Sequence, residues 1–251
     1  MKSLGDRMKN FYENRTRFYL PRRTYSIIRI DGKAFHTYTK NLTRPFDFNF
    51  IEDMDETAIY LCQKIQGVKF AYVQSDEISL LLTDFGNLNT NAWFEGEIRK
   101  ICSVSASLAT AKFNQCRFLR EFYTTTSIDS DTAIAAFDSR VFTIPHNIEV
   151  ENYFIWRQQD ATRNSIASVA QSLYSNKELH KKNGNQMQEM IFQKGINWDN
   201  YDPKLKRGRI ILKNSETFKW ESLAPPIFTQ DKEFLKTLIP IQYNENDTNS
   251  K

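Results

Sequence analysis

Two short segments hold the side-chain types that metal-assisted chemistry requires: Asp31-Gly32, flanked by Arg29 and Lys33, and Ser75-Asp76-Glu77. Taken singly, each is an ordinary turn sequence. Brought together, Asp31 and Asp76 offer hard oxygen ligands to Mg²⁺, which favours octahedral coordination and keeps several waters for substrate phosphates to replace. Two such ions, about 3.5 to 4 Å apart, activate an attacking hydroxyl and stabilise a leaving pyrophosphate in an in-line displacement. That is the chemistry of nucleotidyl transfer. The Gly32 carbonyl can add a ligand, and the backbone from Lys33 through Ala34 and Phe35 to His36 can cradle a triphosphate with its amides. Glu77 joins the aspartates as a candidate catalytic carboxylate. On an extended hairpin it points away from Asp76, which suits a supporting position behind the metal ligands.

Whether the two segments meet depends on the elements that carry them. Helical spacing predicts an amphipathic helix from Leu4 to Phe18, capped by Ser3 and stopped before Pro21. Thr24 to Ile30 reads as a buried strand, Glu52 to Lys64 as a helix, and Val68 to Gln74 with Ile78 to Thr83 as a hairpin. A helix from Trp93 to Cys116 and a strand from Thr132 to Phe137 follow. The resulting order, strand, helix, strand, strand, helix, strand, predicts an α+β, ferredoxin-like βαββαβ antiparallel sheet with helices on one face. Right-handed crossovers run the first two strands the same way and slot the third between them, so Asp31 and Asp76 belong at one sheet edge.

Beyond Pro145, a helix is expected from Ile148 to Tyr174, then a short helix before Lys194-Gly195. A terminal hairpin is expected from Gly208 to Leu212 and Glu216 to Trp220. No linker rich in Gly, Pro or Ser divides the chain. Residues 1–140 therefore form a catalytic unit with an N-terminal helix, and residues 141–251 a C-terminal helical and hairpin extension integrated with it.

The 251 residues, 40% hydrophobic and 25% charged, exclude a disordered or low-complexity chain. No apolar run reaches the ~20 residues that span a bilayer, and the first residues lack a secretory profile. A cytoplasmic protein without membrane partners is expected. Cys62, Cys102 and Cys116 lie in apolar surroundings without Cys-x-x-Cys spacing, which predicts buried free thiols. With only His36, His146 and His180, a Cys/His zinc site is not expected, and any metal must be held by carboxylates. Charge is uneven: the first 50 residues carry 11 basic against four acidic side chains, the other 201 carry 23 against 26. An electropositive front end attracts phosphate-rich partners.

The segment from Arg29 to His36, followed by Phe70 to Ser79 with Gln74-Ser75-Asp76-Glu77 at its centre, resembles the signature pair of the histidine-tRNA guanylyltransferase family. Phe137-Asp138-Ser139-Arg140-Val141, Trp156-Arg157-Gln158-Gln159-Asp160, Lys194-Gly195 and Lys206-Arg207-Gly208 resemble its later motifs in the same order. The resemblance implies a polymerase-palm fold and nucleotide addition in the 3′-to-5′ direction at tRNA 5′ ends. In that family the 5′-phosphate is activated with ATP or GTP before the 3′-hydroxyl of an incoming NTP attacks it. Carried over by position, Asp31, Gly32 and Asp76 would bind two Mg²⁺. Residues Asp31 to His36, Arg29, Ser75 and Asp76 would bind the nucleotide, with Arg44 and Asp47 near a second triphosphate. The resemblance also implies a homotetramer, a dimer of dimers, holding tRNA rather than DNA across subunits. Arg22, Arg23, Arg157, Arg163, Lys194, Lys206 and Arg207 are its candidate tRNA contacts.

One stretch departs from the family pattern. Eukaryotic members carry His-Ile-Asn-Asn where this chain reads Thr162-Arg163-Asn164-Ser165. That replacement resembles the guanylyltransferase-like branch, which implies templated repair of 5′-truncated tRNA in place of one untemplated G on histidine tRNA. In a eukaryotic microbe the expected compartment would be mitochondrial.

Overall fold

The computed structural model describes residues 3–87, 89–124 and 134–242. The first half runs α1 (Leu4–Phe11), β1 (Tyr25–Gly32), α2 (Phe35–Tyr38), α3 (Phe48–Lys64), β2 (Val68–Gln74), β3 (Glu77–Leu82), α4 (Ile98–Thr124) and β4 (Phe137–Ile144). The second runs α5 (Asn147–Leu173), α6 (Asn176–Leu179), α7 (Gly184–Gln193), α8 (Pro203–Arg207), β5 (Arg209–Lys213), β6 (Trp220–Leu223) and α9 (Lys232–Leu238). The six strands lie in the order β4-β1-β3-β2-β5-β6, every neighbouring pair antiparallel. β3 lies between β1 and β2, as the crossover argument requires. β5 and β6, from the second half of the chain, continue the sheet beyond β2.

Strand alternation sends successive residues to opposite faces, and both faces are covered. Ile28, Ile30, Val73, Ile78 and Leu80 pack with Met54, Leu61 and Phe113 of α3 and α4. Tyr25, Ile27, Phe70, Tyr72 and Leu81 pack on the other side with Val150, Tyr153 and Phe154 of α5 and with Leu235 of α9. The α3 and α4 layer is the one expected from the βαββαβ pattern; α5 and α9 of the C-terminal extension cover the face that pattern leaves open. A third cluster, Ile166, Val169, Leu179, Ile191 and Trp198, joins the second half of α5 to α6 and α7.

Three expected elements differ. α1 has its Ser3 cap, whose hydroxyl accepts from the Asp6 amide while the Asp6 carboxylate accepts from the Ser3 amide. It stops at Phe11 instead of Phe18 and gives way to a 3₁₀ turn over Glu13–Thr16, with no residue buried in either. Helical spacing does not extend a helix that has no packed face. The fourth strand is Phe137–Ile144, beginning where the expected strand ended; residues 125–133, which hold Thr132, lie outside the described residues. β4 is an edge strand, and its polar Asp138 and Arg140 alternate with Phe137, Ser139 and Val141, a pattern that reads as a loop when one face is not seen to be open. The terminal hairpin is displaced toward the C-terminus, its turn built on Asn214 Oδ1, which accepts from the Glu216 and Thr217 amides. Of the thiols, all free, only Cys62 is buried; Cys102 and Cys116 are half-exposed.

Candidate functional site

β1 ends at Gly32 and the β2–β3 hairpin turns at Ser75-Asp76, and the two ends meet: the Gly32 amide donates to the Asp76 carbonyl at 3.2 Å. Asp31 stands directly opposite Glu77 in the ladder. Sequence reasoning thus places Asp31, Gly32 and Asp76 together, and the structure does the same. Burial, and then the neighbouring Asp31 charge, push the Asp76 carboxyl above its ordinary value, partly opposed by local hydrogen bonds and by Arg29. Two carboxylates in such proximity repel, and a bound cation relieves them. Among the described residues no three His, Cys, Asp or Glu side chains form a metal cage. Two carboxylates and a backbone carbonyl instead fit Mg²⁺, which is commonly held by one or two carboxylates plus substrate phosphates.

Two left-handed residues flank this edge. Ala34 (φ 56°, ψ 34°) opens α2, and Ser75 (φ 46°) leads the two-residue hairpin turn. Neither is glycine, so each costs of order 1–3 kcal/mol and persists only where its surroundings enforce it. The loop after Asp31 is anchored at three points. The Lys33 amide donates to the Ala136 carbonyl at 2.8 Å, Gly32 is tied to Asp76, and Phe35 is buried. A Cβ on Gly32 would lie 2.2 to 2.7 Å from the Phe35 ring. The glycine therefore permits a close approach, since its φ is not left-handed. Gly32→Ala is expected to cost about 1–3 kcal/mol through overpacking, read as a lowered melting temperature. An unchanged melting temperature would show that the ring can move aside freely.

Beside the edge lies a cavity of about 340 Å³. Its walls come from the loop after α2 (Thr43, Arg44), the start of α3, the middle of α5 (Asn164, Ser165, Ser168) and the α8–β5 junction (Lys204, Gly208, Arg209), with His36, Gln74 and Ser75 on the side of the carboxylates. The wall includes two residues of the Thr162–Ser165 departure. Asp47 also lines it, but both its oxygens are engaged as the α3 cap: Oδ1 accepts from the Phe50 amide and Oδ2 from the Thr43 amide. It shapes the loop that carries Arg44.

Glu77 is buried and lies among arginines. Its Oε2 is 2.9 Å from Arg29 Nη2 and its Oε1 2.9 Å from Arg157 Nε, while Ser79 Oγ donates to Oε1. Burial raises its carboxyl above the usual value, with Arg157 and Arg29 pulling the other way. Period-2 parity could have shown this: residues 29, 31, 77 and 79 share the face that α5 covers. Sequence reasoning missed Gln74, Asn164, Ser165, Lys204 and Arg209 as cavity residues, because they come from four separate elements.

The expected basic contacts divide. Arg157 and Lys206 are buried, a correction to their assignment as tRNA contacts: Arg157 joins Glu77 and Asp160, and Lys206 Nζ lies 2.8 Å from Asp199 Oδ1. Of these partners only Glu77 is remote in sequence; Asp160 lies three residues on along α5, and Asp199 seven residues before Lys206. Arg207 is mostly covered, its nearest acid being Asp199 at 3.9 Å. Arg22 binds Asp84 and the Thr90 carbonyl, Arg163 binds Asp160 from an exposed position, Arg23 is exposed, and Lys194 lies over the Tyr174 ring. Trp156 is 47% exposed and stacks on Arg157 at 4.1 Å.

A model of the tRNA(His) guanylyltransferase family matches residues 5–145. The tRNA(His) guanylyltransferase of Debaryomyces hansenii is 28% identical over 228 residues, spanning 84% of this chain and 81% of its own length. A bacterial tRNA(His) guanylyltransferase (Thg1)-like protein in complex with ATP superposes with a TM-score of 0.85 at 46% identity, covering 95% of this chain and 99% of that one. A structure of a bacterial protein of the same description in complex with GTP gives a TM-score of 0.78 at 41% identity, covering 94% of this chain and 99% of that one.

Proposed function

Because the chain belongs to the tRNA(His) guanylyltransferase family and is a nucleotidyltransferase, we propose that it adds nucleotides in the 3′-to-5′ direction, under template control, to 5′-truncated tRNA. The observation that carries this reading is the convergence of Asp31, Gly32 and Asp76 at one sheet edge, beside a cavity walled partly by Asn164 and Ser165. The first feature supports the chemistry and the second the substrate preference.

Asp31, Asp76 and the Gly32 carbonyl would hold divalent cations, two Mg²⁺ in this reading, and such ions would supply charge stabilisation at a transferring phosphoryl group and acidity to an attacking hydroxyl. With the Lys33 amide held by the Ala136 carbonyl, the backbone amides of Ala34, Phe35 and His36 and the Ser75 turn receive the triphosphate of the nucleotide. Arg44, exposed on the cavity wall, faces a second anionic group, and Asp47 fixes its loop. The tRNA 5′-phosphate attacks the α-phosphorus of ATP or GTP and releases pyrophosphate, and the 3′-hydroxyl of the incoming NTP then attacks the activated tRNA phosphate and releases AMP or GMP. Because the attacking group belongs to the NTP and the electrophile to the tRNA, the cavity must orient both, which proximity makes the main catalytic task. The bacterial relatives in complex with ATP and with GTP support nucleotide binding here. A homotetramer holding the acceptor stem across subunits completes the reading.

The test is nucleotide addition to 5′-labelled tRNA transcripts, full length and lacking their first nucleotide, with each NTP and Mg²⁺. Extension of the truncated tRNA by the complementary nucleotide, stopping at full length, is expected. Addition of a single G confined to full-length histidine tRNA would overturn the templated reading in favour of untemplated G addition.

A further inference from the structure

Six charged side chains form one alternating chain from the sheet edge into α5. Asp31 Oδ2 accepts from Arg29 Nη2 at 3.2 Å, and the same nitrogen lies 2.9 Å from Glu77 Oε2. Glu77 Oε1 meets Arg157 Nε at 2.9 Å, Arg157 Nη2 donates to Asp160 Oδ2 at 2.5 Å, and Asp160 Oδ1 accepts from Arg163 at 2.7 Å. Only the first member belongs to the candidate cation site. Asp31 and Glu77 stand directly opposite one another, an arrangement that repels unless a cation lies between them. Arg29 is that cation. It is ion-paired to one oxygen of Glu77, and the other Glu77 oxygen is ion-paired to Arg157, whose Nε lies 2.9 Å away without the alignment of a hydrogen bond.

We propose that Arg157 is a positioning residue for nucleotide addition: by pinning Glu77 it fixes Arg29 on one oxygen of Asp31 and thereby sets the orientation of the Asp31 carboxylate toward a divalent cation. The proposal rests on the reading of Asp31 as a cation ligand. Arg157 is 3% exposed and spans two acids with different nitrogens of one planar group, Nη2 hydrogen-bonded to Asp160 and Nε in an ion pair with Glu77. A lysine, with a single ammonium, keeps the charge and cannot span both. The Trp156 ring covers the guanidinium at 4.1 Å and leaves it little room to swing away. Asp160 is itself fixed by Gln74 and Arg163, which hold its carboxyl below the usual range despite burial. The far end of the chain is thus anchored.

The experiment compares Arg157→Lys with the unsubstituted protein in three measurements: melting temperature, kcat and KM for NTP on truncated tRNA, and Mn²⁺ affinity by electron paramagnetic resonance without tRNA. Outer partners of metal ligands typically contribute about 10- to 100-fold to affinity or activity. A fall of that size in kcat and in Mn²⁺ affinity, with KM for NTP little changed, is expected. A variant that loses thermal stability yet keeps kcat and Mn²⁺ affinity would make Arg157 purely structural and overturn the proposal. Should Arg157→Lys not fold, Asp160→Asn leaves Arg157 in place with one anchor, and it must lower both quantities severalfold or the proposal fails. Asp31→Asn run in parallel separates the two readings. If it leaves Mn²⁺ affinity intact, the cation site itself is wrong; if it lowers Mn²⁺ affinity and the Arg157 and Asp160 variants do not, only the positioning chain is wrong.

Discussion

Asp76→Asn is expected to lower nucleotide addition by about a thousandfold or more while making the fold more heat-stable at neutral pH. The first effect follows from the several kcal/mol of charge stabilisation that a metal site supplies to a phosphoryl transfer, each ~1.4 kcal/mol being a factor of ten in rate. The second follows from burial. In the folded protein the Asp76 carboxyl titrates above its ordinary value of 3.8, burial being the main cause and the Asp31 charge adding to it. A carboxyl whose folded value is raised leaves the fold unpenalised below the unfolded value. The penalty grows as pH rises and is complete above the folded value. Asparagine keeps the shape and carries no charge, so the variant gains its stability over the native protein between acid and neutral pH. Melting curves across that range, without divalent cation, read the difference. Adding Mg²⁺ should then raise the melting temperature of the native protein and not of the variant, because a ligand stabilises only the state that binds it. A variant that retains a tenth of the native rate, or that melts lower at neutral pH, would remove Asp76 from the proposed cation site.

The same residue shows what a sequence can carry. Asp31 and Asp76 are 45 positions apart, yet their meeting follows from element order, because β3 must lie between β1 and β2 once the crossover connection is assumed. Alternation along the strands was equally legible for Glu77, which lies behind the edge on the α5 face and not beside Asp76. What escaped was the identity of its partners. Arg157 is 80 residues from Glu77, on a helix whose register against the sheet no local pattern specifies, so a buried ion pair looked like a surface cation. Lys206 misled for a local reason: a run of basic residues reads as a phosphate-binding strip until Asp199, seven residues earlier, is seen to take its ammonium. The cavity was illegible as a whole, since Arg44, Gln74, Asn164 and Arg209 share a wall only after four elements are packed. Charge count in sequence reports how many cations exist, whereas burial and pairing decide how many remain for a nucleic acid.

Phe35→Ala is expected to destabilise the protein by roughly 3–5 kcal/mol, the cost of an empty site left by a buried phenyl ring. The residue stands in the loop that sequence reasoning assigns to nucleotide binding, but its ring belongs to the core. It lies 4.9 Å from the rings of Tyr38 and Phe137, 5.8 Å from Phe113 and 6.1 Å from Phe50. At about 2–4 °C per kcal/mol for a chain of this size, the melting temperature should fall by roughly 10 °C. His36→Ala, one residue on and exposed, should change stability by no more than about 0.5 kcal/mol. Phe35→Leu, which keeps most of the volume, should cost less than about 1.5 kcal/mol. The functional consequence is separable. If the ring holds the shape of the Lys33-to-His36 backbone, Phe35→Ala raises KM for NTP at temperatures where the variant is still folded, and Phe35→Leu largely restores it. If KM stays at the native value in a folded Phe35→Ala protein, the two backbone hydrogen bonds, Gly32 to Asp76 and Lys33 to Ala136, suffice to shape the loop. The aromatic cluster then supports the sheet edge without setting the geometry of the nucleotide.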